Sequence, residues 1–474
     1  MPRLVDISLA LPLFQSFTYA VPADVRTPVT TGTRVLVPFR NRRQIGIVLG
    51  DAVRPDPARE YKEILEVPDD EPALDESMLR LARWIAGYYA APLGLVIRSA
   101  LPALLTGAAR PVPPRKTHRV VRIRDDLPTL MQRDAAFRRA PRQRELFELL
   151  ESLGGAAPVE HLTDQLDFSS SVLDGLVRRA LVTVERVDVE RDPFAARALT
   201  APQRHEPTPA QRAAIDAIAG GEPGATFLLH GITGSGKTLV YLEVLRRVVI
   251  ERGQSAIVLV PEIALTPQTV DRFRAVFGER VAVLHSALSD GERYDAWRAL
   301  RRGERTIAVG ARSAVFAPLA NLGAIIVDEE HEASYKQGES PRYHAREVAI
   351  VRARQAGAVV VLGSATPSLE SWSNAKEGRY NLLQLPDRVG GGALPKVRVV
   401  DLRERRDSPA ASARDPFRQV VSGVLEEALR DRLDRGEQSI LLLNRRGFSA
   451  FVQCTACGDV AVCPDCSISL TYHR

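Results

Sequence analysis

The chain has 474 residues, 45% hydrophobic and 26% charged, with a formal net charge of +6. That length predicts three or four domains, and nothing in the composition requires a disordered segment. No apolar run approaches the ~20 residues needed to span a bilayer, and Asp6 interrupts the apolar start, so neither a membrane span nor a signal peptide is expected and the expected compartment is the cytoplasm.

Residues 1–105 read as a small β-rich unit ending in helix. SFTYAV, RVLVPF and QIGIVLG are short β-like runs, and DESMLRLARWIAGYYAAPLG places Met78, Leu81, Ile85 and Tyr89 at helical spacing. Trp84, Tyr88 and Tyr89 read as core or half-exposed helix aromatics before they read as base-stacking groups. Arg40, Arg42 and Arg43 suit either a phosphate contact or a solvated hairpin tip. The first fifty residues hold six Arg against two acids, and residues 101–150 hold eleven Lys or Arg against five acids. The basic excess thus lies outside the segment that follows, and it suits a polyanionic partner.

Residues 106–117 (TGAARPVPPRKT) are Pro-rich and basic, as a linker is. Residues 118–198 give helix, helix and a β-like tail, with Ser169–Ser171 as an N-cap cluster. That order fits a winged-helix module, and it equally fits a helical spacer with no DNA contact.

Over 203–387 strands and helices alternate, the pattern of a parallel α/β sheet. The expected strands are 225–230, 256–260, 281–284, 306–309, 324–327 and 358–362. After the first comes Gly231-Ile232-Thr233-Gly234-Ser235-Gly236-Lys237-Thr238, which fits the phosphate-loop pattern at every fixed position. Its glycines let the backbone turn N–H groups onto phosphate oxygens, and the following helix adds its positive dipole end. Lys237 is placed to reach β- and γ-phosphates, and the Thr238 hydroxyl to hold Mg²⁺. Asp328 and Glu329 follow a later strand, Asp328 suited to the metal and Glu329 to orienting or deprotonating water. Ser364 and Thr366 suit a relay or an ordinary strand-to-helix turn. Gln211 suits either the adenine edge or a plain helix start.

Residues 388–414 read as a linker, 415–453 as the start of a second α/β lobe, and 454–474 as a partial zinc region. Cys454, Cys457, Cys463 and Cys466 form two CxxC knuckles, which in a cytoplasmic chain point to Zn²⁺ rather than disulfides.

VPEIALTPQ, LHSALSDGERYDAW, VGARSAVFAPLANLGAIIVDEEHEASYKQ, PRYHARE and GSATPSLES are similar, in order and spacing, to the motifs of superfamily 2 DNA helicases. With LLLNRRGFSAFVQC and VDISLALPLFQSFTYAVP, the whole chain resembles the PriA-type replication-restart helicases (primosomal protein N′). The resemblance implies an α/β multidomain fold: a 3′-DNA-end-binding domain, a winged helix and a RecA-like lobe, followed by the start of a second lobe. It implies a 3′→5′ helicase that uses ATP and Mg²⁺ on forked and single-stranded DNA, with primosome proteins and single-stranded-DNA-binding protein as partners. Arg312 and Ser313 would touch the DNA backbone. Tyr335, Lys336, Arg342, Tyr343, His344 and Arg346 would form an aromatic-rich loop coupling single-strand binding to hydrolysis. Phe17 and Lys62 match the 3′-end pocket, whereas Thr18 and Arg40 stand where an acid and a glycine are common. The family's knuckles pair with cysteines farther downstream. Here the four make either one strained site or two half-sites. Most of the family's second lobe, with its catalytic arginine, is not matched, so the expectation is nucleotide and DNA binding with weak hydrolysis. A non-motor fork-binding scaffold and another superfamily 2 translocase are the alternatives.

Overall fold

The computed structural model describes residues 3–53, 55–56, 58–107, 117–124, 129–138, 140–159, 162–163, 166, 168–188, 206–285, 288–389, 396–401, 421–442, 457, 460 and 462. The chain forms two compact units, Met1–Gly391 and Gly392–Arg474.

In the first unit, β1 (Leu4–Leu9), β2 (Phe17–Ala20), β3 (Arg34–Phe39) and β4 (Arg42–Asp51) form an antiparallel sheet in the order β2-β1-β4-β3. Their alternating apolar residues build a small core of its own around Val5, Ile7, Val35 and Val48. The helices α1 (Glu76–Tyr88) and α2 (Leu93–Ala100) leave that core. Met78, Leu81 and Ile85 of α1 join the core of the large lobe instead. One polar tie reinforces the join: Arg301 donates to the carbonyls of Pro72 and Ala73. Within the N-terminal segment the fully buried Arg34 grips both carboxylate oxygens of Asp69 at 2.6 and 2.8 Å.

The middle segment comprises β5 (Thr117–Ile123), α3 (Leu130–Phe137), α4 (Pro141–Ser152), β6 (Ala156–Pro158), α5 (Ser170–Arg178) and β7 (Val182–Asp188). Its antiparallel sheet runs β6-β5-β7, and Phe147, Leu150, Leu173 and Leu176 form a separate core. The strand before the helices was not expected. THRVVRI carries two arginines and a histidine among seven residues, and it forms because β7 pairs with it along seven residues.

The large lobe follows: α6 (Pro209–Ala219), β8 (Thr226–Gly231), α7 (Lys237–Leu245), β9 (Ser255–Leu259), α8 (Pro267–Phe277), β10 (Val281–Leu284), α9 (Asp290–Arg301), β11 (Ile307–Gly310), β12 (Leu322–Asp328), α10 (Ala345–Ala356), β13 (Val359–Ser364), α11 (Leu369–Lys376) and β14 (Asn381–Leu385). The sheet is parallel, in the order β10-β11-β9-β12-β13-β8-β14, the architecture of a RecA-like lobe. Helices cover both faces, so β9 and β11 are buried at every position, as their unbroken apolar runs require. All six expected strands form, 281–284 with the expected ends and the others with ends moved by one or two residues. The seventh, β14, is half-exposed at the edge beside β8 and lacks the continuous apolar run that marks the others.

In the second unit, α12 (Gly423–Asp434) is capped by Ser422 Oγ, which accepts the Leu425 N–H at 3.1 Å. Residues 439–442, the run SILL in the expected start of a second α/β lobe, read as a strand by their apolar character but form none, and Ile440 is 97% exposed. A strand needs a partner for its backbone groups, and the described residues of this unit provide no ladder there. Among the described residues no helix is long and apolar enough to cross a membrane.

Candidate nucleotide site and its neighbours

β8 delivers the chain into the glycine loop, and α7 leaves it. Gly234 and Gly236 adopt φ of 83° and 78°, the left-handed region that glycine enters without strain. Gly236 is also a close approach, since a Cβ there would stand 2.4 Å from Gln211 Nε2. No side chain caps the start of α7, which leaves its first-turn N–H groups to an anion. Lys237 Nζ donates to Gly231 O at 3.0 Å and lies 3.7 Å from Glu329 Oε1. Residues 232–239 line a cleft of about 380 Å³, together with Gln211, Asp328, Glu329 and Val389.

The acid side is held from behind. Tyr241, one turn along α7 from Lys237, donates its hydroxyl to Asp328 Oδ1 at 2.9 Å. Tyr335 donates to Asp328 O at 2.7 Å. Burial, with Glu329 adding to it, raises the Asp328 carboxyl above its ordinary range, against the pull of Tyr241 and Lys237. Gly363 of β13 makes the arrangement possible: a Cβ there would stand 1.6 Å from the Tyr241 hydroxyl. Glu329 has φ of 43°, a left-handed conformation that costs a non-glycine residue about 1–2 kcal/mol. The residues on either side of it are anchored, which is how such strain persists. Ser364 Oγ lies 2.8 Å from His331 Nδ1 and accepts the Thr366 N–H at 2.9 Å, so the end of β13 is wired to the acid run.

The amide of Gln211 is engaged within the fold. Oε1 accepts the Thr208 N–H at 2.9 Å in a capping box, and Nε2 donates to Ser235 O at 2.8 Å. Gln211 also lines the cleft. In this arrangement Gln211 is a helix start that braces the phosphate loop.

The aromatic-rich loop also differs from expectation. Tyr335 and Tyr343 are buried, Tyr343 edge-on to Phe316 at 5.2 Å, and Arg346 is buried against Glu330 at 2.8 Å. Neither ring is placed to stack on a base, because the lobe's apolar core has taken both. Lys336 and Arg342 are exposed, with Lys336 Nζ donating to Arg342 O at 2.6 Å and lying 5.2 Å from the Tyr89 ring centre. The His344 N–H donates to the Tyr89 hydroxyl at 3.1 Å, and burial lowers the imidazole below its ordinary value. Arg312 Nη1 donates to Ser334 O and Lys336 O, while Ser313 is exposed. In the N-terminal sheet Phe17 packs edge-on to Phe39 at 5.0 Å. Lys62 is exposed, and its carbonyl accepts the Ala20 N–H at 2.9 Å. Thr18 Oγ1 donates to Asp6 Oδ1 at 2.7 Å. Of the four cysteines, Cys457 is exposed. Cys454, Cys463 and Cys466 lie outside the described residues, and no metal-holding group occurs among the described ones.

Residues 6–102 match the 3'DNA-binding domain (3'BD) family of PriA, and residues 208–374 match the DEAD/DEAH box helicase family. The replication restart protein PriA of Bacillus subtilis (strain 168) is 37% identical over 533 residues, covering 99% of this chain and 65% of the relative. Along nearly its whole length the chain is similar to PriA proteins. The PriA proteins of Synechocystis and Haemophilus influenzae are each 35% identical, covering 96% and 100% of this chain. The chain spans 62–65% of the length of these three PriA relatives.

The described residues fit a magnesium nucleotide. An uncapped helix start and a lysine offer positive charge, and the Thr238 hydroxyl and Asp328 carboxylate are hard oxygen donors of the kind Mg²⁺ takes. Sequence reasoning missed Tyr241, Gly363 and Glu330. The one available signal was a tyrosine a single turn after the phosphate-loop lysine, on the buried face of an otherwise aliphatic helix.

Proposed function

We propose that the chain binds ATP with Mg²⁺ between residues 231–238 and the Asp328–Glu329 pair, and that it is part of a 3′→5′ DNA helicase of replication restart. The observation that carries this is Lys237, 3.7 Å from Glu329 across a cleft that opens on an uncapped helix start. Lys237 neutralises the terminal phosphates, Thr238 and Asp328 hold the metal, and Glu329 orients or deprotonates the attacking water. Bound Mg²⁺ supplies further charge neutralisation at the phosphates. Ser364, joined to His331 and Thr366, relays between the acid run and the start of α11.

On the DNA side Lys336, Arg342, Arg312 and Ser313 follow the phosphate backbone, and Phe17 and Lys62 take the 3′ end of a strand at a fork. Primosome proteins and single-stranded-DNA-binding protein are the proposed partners. Zn²⁺ on the four cysteines is proposed from their two CxxC pairs.

The test is binding of a fluorescent ATP analogue, then hydrolysis with and without forked DNA, using Lys237→Ala as control. The expected result is nucleotide binding at least about tenfold weaker in the variant, the loss of roughly one charged contact, and tighter binding of forks with a free 3′ end than of blocked ones. Nucleotide binding indifferent to Lys237→Ala would overturn the proposal.

A further inference from the structure

Glu330 adjoins the acid pair but does not line the cleft. It is fully buried. Its Oε1 accepts the Ser368 N–H at 2.7 Å. Its Oε2 accepts Arg346 Nη1 at 2.8 Å, Ser371 Oγ at 2.9 Å and Ser368 Oγ at 3.1 Å. Its own N–H donates to Gly363 O at 3.1 Å. The carboxylate therefore ties the end of β12 to the first turn of α10 and to the cap and first turn of α11, and the backbone N–H ties it to the end of β13. A buried carboxylate is retained at low cost only when it is paired and satisfied in this way.

The segment between residues 331 and 345 is held by Arg312 at Ser334 O and Lys336 O and by Tyr89 at the His344 N–H, and two further bonds join it and its flank to the acid run. Tyr335 Oη holds Asp328 O near one end, and Arg346 holds Glu330 just beyond the other. Lys336 and Arg342, its exposed cations, lie between these last two bonds. Glu329, with its left-handed backbone, sits between the two anchored residues. Both neighbours of Glu329 are thus bonded to this loop or to its flank, Asp328 through Tyr335 and Glu330 through Arg346.

We infer that Glu330 is a positioning residue that couples single-stranded DNA on the Lys336–Arg342 loop to nucleotide at the Asp328–Glu329 pair, through Arg346, Ser368 and Ser371. This rests on the functional reading above. Arg346 acts here through its carboxylate partner rather than on DNA.

The test is thermodynamic linkage, which needs no turnover. The affinity of the full chain for a fluorescent ATP analogue with Mg²⁺ is measured with and without oligothymidylate, in wild type, Glu330→Gln and Ser371→Ala. In wild type DNA is expected to change nucleotide affinity about fivefold or more. Glu330→Gln is expected to bring that factor within about twofold of unity, leave the DNA-free affinity within about twofold of wild type, and so separate coupling from mere folding. Ser371→Ala removes one of the four side-chain or cap bonds and is expected to give an intermediate factor. If Glu330→Gln does not fold, Ser371→Ala decides alone. A factor of one in wild type, or an undiminished factor in the folded variants, overturns the inference. Lys237→Ala separates the two failures. If it leaves nucleotide binding unchanged, the reading of the cleft falls and the inference with it. If it abolishes binding while the factor survives in the Glu330 and Ser371 variants, the inference alone falls.

Discussion

The Tyr241 hydroxyl and Asp328 Oδ1 stand 2.9 Å apart, so the helix that starts the phosphate loop's exit and the strand that ends in the acid pair share one hydrogen bond. Both partners are largely buried, and the bond goes to a carboxylate, where the loss of one is worth about 1.5–3 kcal/mol. Tyr241→Phe is expected to weaken Mg²⁺-dependent nucleotide binding roughly tenfold, the lower end of that range. Titrating Mg²⁺ at fixed nucleotide checks it, and an unchanged half-saturation point would show that Asp328 needs no such support.

Gly363 is the other half of that contact. A methyl group at Gly363 would meet the Tyr241 hydroxyl at 1.6 Å and ring carbon Cζ at 2.8 Å. Gly363→Ala is expected to destabilise the protein by about 2 kcal/mol or more in urea unfolding, as overpacking does. Adding Tyr241→Phe should recover only part of this, because the ring carbon still obstructs the methyl. Full recovery would mean that the hydroxyl alone was in the way.

Asp328 predicts a stability that varies with pH. Burial first, then Glu329, raises its carboxyl above the ordinary range. The native state therefore binds the proton more readily than the unfolded chain does. The resulting stabilisation is present below the unfolded value and is lost as pH rises through the folded one. At neutral pH the charge is a net cost to the nucleotide-free protein. Asp328→Asn keeps an acceptor for Tyr241 and should raise the melting temperature near pH 8 and raise it less near pH 4. Thermal melts at the two pH values check this, and a larger gain at acid pH would contradict the sign.

The loop cations and the loop aromatics should separate experimentally. Lys336 and Arg342 are exposed, whereas Tyr335 is buried with its hydroxyl on Asp328 O. Lys336→Ala and Arg342→Ala should each weaken single-stranded DNA binding and lower the salt slope by about 0.7–1. Tyr335→Phe should leave DNA affinity near wild type, while Tyr335→Ala should cost about 3–5 kcal/mol of stability, as large core truncations do. Fluorescence anisotropy across a salt series, with melts alongside, distinguishes these outcomes.

Arg352 is buried, donating to Val315 O and Ala317 O, and burial lowers its guanidinium to about 10. It holds the turn that carries Arg312 and Ser313. A lysine has no fork to span two carbonyls, so Arg352→Lys is expected to destabilise by about 1–3 kcal/mol. Chemical denaturation measures it, and a neutral result would mean that the turn holds itself.

Much of the lobe is legible because its strands are unbroken apolar runs and its loop residues are chemically restricted. Val281–Leu284 needs burial on both faces, and Gly234 and Gly236 need positive φ. What sequence could not supply was strand order and the contacts that order creates. Tyr241 meets Asp328 only because β8, β13 and β12 are consecutive neighbours in the sheet. Tyr343, in a basic loop, looks like a solvent-facing aromatic until Phe316 is found beside it, 27 positions away by number and edge-on in space. Glu330 is one of several acids in a run, and nothing local distinguishes the one that is buried. The half-exposed pattern of β14 is too irregular to identify without β8 alongside it.

The chain leaving β14 does not depart freely. Leu385 O accepts the Ile232 N–H at 3.4 Å, Arg388 Nε donates to Thr233 O at 3.0 Å, and the Val389 N–H donates to Gly234 O at 3.0 Å. These three contacts run in step along the glycine loop like stitches along a hem. The segment leaving β14 is therefore a backing strip for residues 232–234, and the conformation of the glycine loop depends on residues about 150 positions downstream of it.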